Sequence, residues 1–206
     1  MFGRTEIVPL PVAFNGTTVS VQDAAGGVRL GQLFYVGPGQ VNFVVPGTSG
    51  NGTALVTVIS ATGATATGNV DIAAVAPSVF TMPGGTVAAA GAVRANSAGV
   101  QTPVAVFQCT AVPVCSAVPI DLGAATDVVV VTFFGTGFRK NSGLTGVKAS
   151  VGGVDSPVLF AGAQGGFVGL DQINVQLPAA LRGKGEVQVV FTVDGQTTNA
   201  TTINIR

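Results

Sequence analysis

Residues 40–46 read QVNFVVP, and residues 172–178 read QINVQLP. Apolar side chains alternate in both, with Val41, Phe43 and Val45 in the first and Ile173, Val175 and Leu177 in the second. A period of two puts each trio on one face of a β-strand and leaves Gln40, Asn42 and Val44 on the other. Pro46 and Pro178 withhold an N–H and end the strand. The repeated Asn suits a buried or edge hydrogen-bonding residue better than a catalytic one. The pattern predicts one core strand, present twice.

The repeat extends well past these seven residues. At the same offset of 132, Phe2-Gly3 falls on Phe134-Gly135, Gln40 on Gln172, Asn42 on Asn174 and Pro46 on Pro178. LFYVGPGQ (33–40) is answered by LFAGAQGGFVGLDQ (159–172), with six extra loop residues, and GNVDI (68–72) by TTINI (201–205) with a one-residue slip. Between and around these anchors lie short runs of Val, Ile, Thr and Phe: 17–22, 31–36, 53–60, 68–75, 127–134, 147–153, 156–162, 185–193 and 200–205. Gly, Pro, Asn or Asp bound each run, at the spacing of roughly eight to twelve residues typical of sandwiches. No segment carries a long helical period. The expected architecture is all-β, with two copies of a sandwich unit near 1–74 and 128–206.

Residues 75–127 separate the copies. They hold a linker, VAPSVFTMPGG, then a hairpin turning at Asn96-Ser97, a cysteine loop, and VPIDLG (118–123) leading into the second copy. The domains are therefore expected at 1–74 and 75–206, the second with an added N-terminal hairpin. The second copy begins with DVVVVTFFG (127–135), whereas the first begins at MFG. The first domain is expected to lack its first strand, because the chain was cut from a longer protein or because another chain donates that strand. Unpaired strand edges and apolar side chains invite such pairing.

Composition narrows the function. Only 9% of the 206 residues are charged and 30 are Gly, a balance that favours strands and turns. The mean hydropathy of +0.59 would suit a membrane protein, but no run offers the roughly 18 apolar residues of a spanning helix. Nine basic residues offset nine acidic ones, and their scatter gives no footprint for nucleic acid or anionic lipid. Cys109 and Cys115 are spaced for a disulfide closing a small loop in an oxidising compartment, with two unpaired buried thiols as the alternative. Metal binding there is disfavoured, since no second Cys pair and no His exist. The N-terminus has no basic start or long apolar core of a signal peptide, so an export signal would lie outside this chain.

The motifs PLPVAFNGTTVSV, LFYVGPGQVNFVVP, APSVF, VFQC, VPIDLG, FFGTGFR, PVLFAGAQGGFVGLDQINVQLP and GEVQVVFTVDGQTTNATTINI cover nearly the whole chain. In order and spacing they resemble the carboxy-terminal domain family of secreted proteins of Solibacter-type Acidobacteria. Each copy is also similar to the immunoglobulin-like IPT/TIG fold, with its GTGF turn (135–138) and later Q-x-N-x-x-x-P strand; the first copy departs at the turn, reading GRTE (3–6). The resemblance implies two tandem immunoglobulin-like sandwiches in a secreted or cell-surface accessory module. It brings no catalytic residues, and fold analogy supplies no activity.

Chemistry-bearing residues are sparse. Without His, the usual general base and commonest transition-metal ligand are missing. Glu6, Asp23, Asp71, Asp121, Asp127, Asp155, Asp171, Glu186 and Asp194 are dispersed, mostly beside turns, where carboxylates usually bind their own backbone. No dense calcium loop exists, although Asp121 with Asp127, or Asp155 with Asp171, are pairs that could converge. The Gly-rich stretches 36–40 and 165–169 do not join a strand to a helix, as a phosphate loop must, and read as tight turns. There is no Trp, Tyr35 is the single Tyr, and Phe2, Phe34, Phe43, Phe134, Phe160 and Phe191 read as core. Phe167, in the six-residue insertion, is the best exposed aromatic for a sugar, with capping of the sandwich end as its competing role. Sequons at Asn15, Asn51 and Asn199 read as chance occurrences.

The expectation is thus a non-catalytic, extracellular structural or adhesion module without cofactor or metal, acting as spacer or docking domain. Its partners would be other protein chains, including self-association through the open edge of the first domain. The alternatives are a subunit of an extracellular filament assembled by strand donation and a polysaccharide- or surface-ligand-binding module.

Overall fold

A computed structural model describes residues 3–5, 8–110 and 114–206, and among these the chain is all-β, with no α-helix and two single 3-10 turns at Leu144–Gly146 and Ala179–Leu181. Phe2 and Glu6 lie outside the described residues. Among the described residues no helix is long and apolar enough to cross a membrane. The chain divides into two compact units, Met1–Ala74 and Val75–Arg206.

The first unit contains β1 (Gly3–Arg4), β2 (Ala13–Phe14), β3 (Thr17–Gln22), β4 (Val28–Leu30), β5 (Gln32–Gly37), β6 (Gln40–Val44), β7 (Gly52–Ile59) and β8 (Thr65–Ile72). One sheet runs β2-β3-β7-β8 with β4 also beside β3, and the other runs β1-β5-β6. Along β3 the side chains of Thr17, Val19 and Val21 are buried and the alternate ones less so, as a period of two requires. The core is small: Val19, Leu33 and Val36, with half-buried Phe14, Val41, Phe43, Val56 and Val58 around them.

The second unit contains β9 (Ser78–Val79), β10 (Ala90–Ala95), β11 (Gln101–Val104), β12 (Phe107–Cys109), β13 (Cys115–Ala117), β14 (Pro119–Ile120), β15 (Val128–Thr136), β16 (Val147–Val151), β17 (Val154–Ser156), β18 (Val158–Ala163), β19 (Asp171–Gln176), β20 (Gly185–Val193), β21 (Gln196–Thr197) and β22 (Thr201–Ile205). One sheet runs β11-β10-β15-β19-β18 with β9 beside β15, and a second runs β14-β22-β20-β16-β17 with β21 beside β20. All pairs of these two sheets are antiparallel except β14 with β22. The hairpin β10–β11 extends the first sheet by pairing with β15.

Both sheets of the second unit feed one core. β15 supplies Val129, Val131 and Phe133 and β19 supplies Ile173 and Val175, while β16, β20 and β22 supply Val151, Val189, Phe191, Ile203 and Ile205. Phe133 and Phe191 meet edge-to-face with centroids 5.2 Å apart, one from each sheet. Full burial of each such side chain stabilises by about 1.5–3 kcal/mol. The arrangement is that of a β-sandwich.

Two glycines explain the GTGF turn. A Cβ on Gly135 would strike the carbonyl oxygen of Ser78 in β9, and one on Gly137, whose φ is +80°, would strike that of Ala76. Gly is therefore required for the backbones to approach, and Phe138 plugs the core beside them, fully buried. The linker motif APSVF thus belongs to the second unit, with β9 paired to β15.

Matched stretches of the two units share some registers and differ in others. Gly52 faces Ile72 and Ala54 faces Val70 in the first unit, as Gly185 faces Ile205 and Val187 faces Ile203 in the second. The hairpins β5–β6 and β18–β19 both carry an irregularity in register, but it is displaced by one residue. Leu33 is consequently fully buried, whereas Leu159 is 48% exposed and Phe160, expected in the core, is 39% exposed. Val45 is likewise 43% exposed, because β6 ends at Val44. Gly3 does not take the place of Gly135: it pairs with Val36 of β5, while Gly135 pairs with Asp171 of β19. The segment is held on β5 by the N–H of Thr5 bonding the Phe34 carbonyl at 3.1 Å and by the Arg4 guanidinium 4.9 Å above the Phe34 ring.

Candidate functional site

The Q-x-N pair that marks the repeat has the same local role twice. Gln40 Nε2 donates to Asn42 Oδ1 at 2.7 Å, and Gln172 Nε2 donates to Asn174 Oδ1 at 3.1 Å. Each bond links side chains two residues apart, on one face of a strand.

The carboxylates brace loops. Asp171, fully buried, accepts the N–H groups of Phe138 (2.8 Å) and Arg139 (3.2 Å) on Oδ2 and Arg139 Nε (2.6 Å) on Oδ1, clamping the GTGF turn to β19. Asp23 accepts Ala25 N–H (3.1 Å) and Gly27 N–H (2.8 Å) on one oxygen, and Gly50 N–H (3.0 Å) and the Arg29 guanidinium (2.6 Å) on the other. The N–H groups of Gly50 and Gly27, reinforced by Arg29, hold its carboxyl below the usual range despite the opposing effect of desolvation. Asp194, at φ +47°, accepts the N–H (2.8 Å) and hydroxyl (2.6 Å) of Ser142. Asp71 accepts the Thr53 hydroxyl at 2.7 Å across β7–β8.

The two carboxylate pairs considered for calcium are differently disposed. Asp121 and Asp127 do converge, but on Arg94, whose guanidinium lies 3.8 and 3.7 Å from them; the Gly123 N–H lowers the pKa of Asp121. Asp155 is on β17 and Asp171 on β19, in different sheets, and both oxygens of Asp171 are already engaged. Among the described residues no three His, Cys, Asp or Glu side chains are grouped to hold a metal ion. Glu186 lies on β20 opposite Asn204.

Cys109 and Cys115 form a disulfide across the antiparallel pair β12–β13; residues 111–113 of its loop lie outside the described residues. Of the stretch 36–40 only Pro38 and Gly39 form the turn of the hairpin β5–β6, the rest being strand, and 165–169 lies in the turn of β18–β19. In the latter, Gln164 Oε1 accepts the N–H groups of Gly166 (2.8 Å) and Phe167 (3.1 Å), and Phe167 is 59% exposed. Asn199 is not a free sequon: its side chain accepts from Val79 N–H (2.9 Å) and the Ser78 hydroxyl (3.0 Å) and donates to the Val79 carbonyl (3.0 Å).

The first unit has two open strand edges among the described residues. β6 pairs with β5 and β8 pairs with β7; among the described residues no strand lies on the other side of either. The equivalent strands of the second unit, β19 and β22, are covered there by β15 and β14. Seven of the eight residues of β8 are exposed, whereas β22 alternates fully with buried Thr201, Ile203 and Ile205. The edge along β8 carries no signal in the sequence, since its counterpart's cover, β14, is two residues long and has no periodicity.

Scans of protein-family models, curated proteins and solved structures return no match to this chain.

Proposed function

We propose that the chain is a non-catalytic module of a secreted or cell-surface protein, built from two tandem immunoglobulin-like sandwiches of IPT/TIG type and serving as spacer or docking domain. The carrying observation is the use of the carboxylates. Asp23, Asp171 and Asp194 spend their oxygens on the backbone and side chains of adjoining loops, which stiffens the loops and leaves these groups without a role on a substrate. The disulfide suits an oxidising compartment, and the resemblance to the Solibacter-type carboxy-terminal family supports the same location. Loop tips on rigid sheets then offer contacts.

The exposed Phe167 favours one competing reading, a polysaccharide-binding module, because sugars stack on exposed rings. A glycan array with and without chelator separates the two. Flat signals in both conditions are expected for a spacer. A reproducible glycan signal lost in Phe167→Ala would replace the spacer with a lectin-like module.

A further inference from the structure

We infer that the first unit is a receptor for one continuous, mostly extended polypeptide segment, bound across both of its open edges, with the side-chain pattern of residues 119–135. This deepens the docking reading above by giving it a site and a partner chemistry, and it rests on that reading.

The inference comes from what covers the same two edges in the second unit. There a single continuous segment does both. Pro119 and Ile120 run parallel to Asn204 and Ile205 of β22, and Val130 to Gly135 run antiparallel to Gln176 to Asp171 of β19. The inward side chains of that segment, Ile120, Val129, Val131 and Phe133, are buried with at most 2% exposure.

The receiving residues have counterparts in the first unit. Asp71 and Ile72 stand in the places of Asn204 and Ile205, and Val41 and Phe43 in the places of Ile173 and Val175. Ile173 and Val175 are fully buried under β15, but Val41 and Phe43 are only half-buried. Both edges therefore present unpaired backbone groups together with apolar side chains, the two features that strand addition satisfies at once. One occupant fits: an extended strand antiparallel to β6, with a large apolar residue beside Val41 where Phe133 sits beside Ile173, and a branched one beside Phe43 where Val131 sits beside Val175. Its leading end runs parallel to β8 and sets an aliphatic side chain against Ile72, as Ile120 does against Ile205. No ionic partner is called for on β6, where Gln40 and Asn42 are neutral, and Asp71 on β8 already accepts the Thr53 hydroxyl.

The test uses the full 206-residue chain and a labelled synthetic peptide of residues 118–137, with a control peptide carrying Asp at the positions of Val129, Val131 and Phe133. Fluorescence anisotropy reads binding, and hydrogen exchange locates it. Saturable binding of the first peptide is expected, with at least tenfold slower exchange in residues 40–44 and 69–72, unchanged exchange in β19 and β22, and no binding of the control. Absence of binding, equal binding of both peptides, or protection elsewhere overturns the proposal. A concentration-dependent dimer with β6 and β8 already protected also overturns it, since a second copy would then be the occupant. None of these failures touches the spacer reading, which the glycan array tests independently.

Discussion

Val70 and Ile203 hold the same place in the two units, opposite Ala54 and Val187, yet Val70 is 43% exposed and Ile203 is fully buried. Val41 and Ile173 differ in the same way one sheet over. The registers of β7–β8 and β20–β22 are alike at these places, so the difference between Val70 and Ile203 arises from what lies beside them. In the second unit residues 119–136 seal both edges, and β10, β11 and the disulfide hairpin are added to the same side of the sequence. The closing segment gives the second unit's core Ile120, Val129, Val131 and Phe133, all buried.

Paired substitutions sharpen the comparison. Phe133→Ala, which empties the centre of the second unit, is expected to cost about 4 kcal/mol, and Ile203→Ala about 3 kcal/mol. Val70→Ala, at the matching place in the first unit, should change stability by less than about 0.5 kcal/mol. Denaturant titrations with a probe in each unit would read these values; comparable losses at Ile203 and Val70 would break the contrast.

Asp171→Ala removes the clamp on the GTGF turn and strands Arg139, for an expected loss of about 3 kcal/mol in the second unit alone. The first unit has Gly39 at that place, at φ +78°, so it has no such clamp to lose. Reducing the disulfide, or replacing both cysteines with Ser, should cost the second unit about 2 kcal/mol by the loop-entropy relation and leave the first unit's transition where it was.

The smallest effect is the pH dependence of Asp23. Its carboxyl is held below the ordinary value by the N–H groups of Gly50 and Gly27 and by Arg29. A depressed folded pKa contributes stability that is complete above the unfolded value and disappears as pH falls through the folded one. The first unit should therefore weaken below about pH 4, and Asp23→Asn should flatten that slope. Unfolding midpoints of the first unit between neutral and acidic pH check it; an unchanged slope in the variant would remove Asp23 from the account.

Much of the fold was legible because long strands announce themselves. TTVSVQ became β3 residue for residue and GEVQVVFTV became β20. Period-two burial was visible in QINVQLP because both faces of that strand are decided locally. Elements of two residues were not legible: β9 and β14 exist through partners far along the chain, as Ile120 does through Ile205. The exposure of Leu159 and Phe160 was hidden too, since shifting an irregularity by one residue reverses a face without altering the composition. In the sequence Asp171 is one of many dispersed turn carboxylates; the signal that singles it out is Arg139, the charge following the GTGF turn. The match of Phe2-Gly3 to Phe134-Gly135 misled for lack of length, because two residues do not fix which strand they join.

The central claim is that the same strands are sealed in one unit and open in the other. Site-resolved amide exchange on the 206-residue chain measures this directly. β19 and β22 should exchange only through opening of the second unit, while the outward amides of β6 and β8 should exchange orders of magnitude faster than their counterparts. Equal protection of β6 with β19, and of β8 with β22, in a monomeric sample would contradict it.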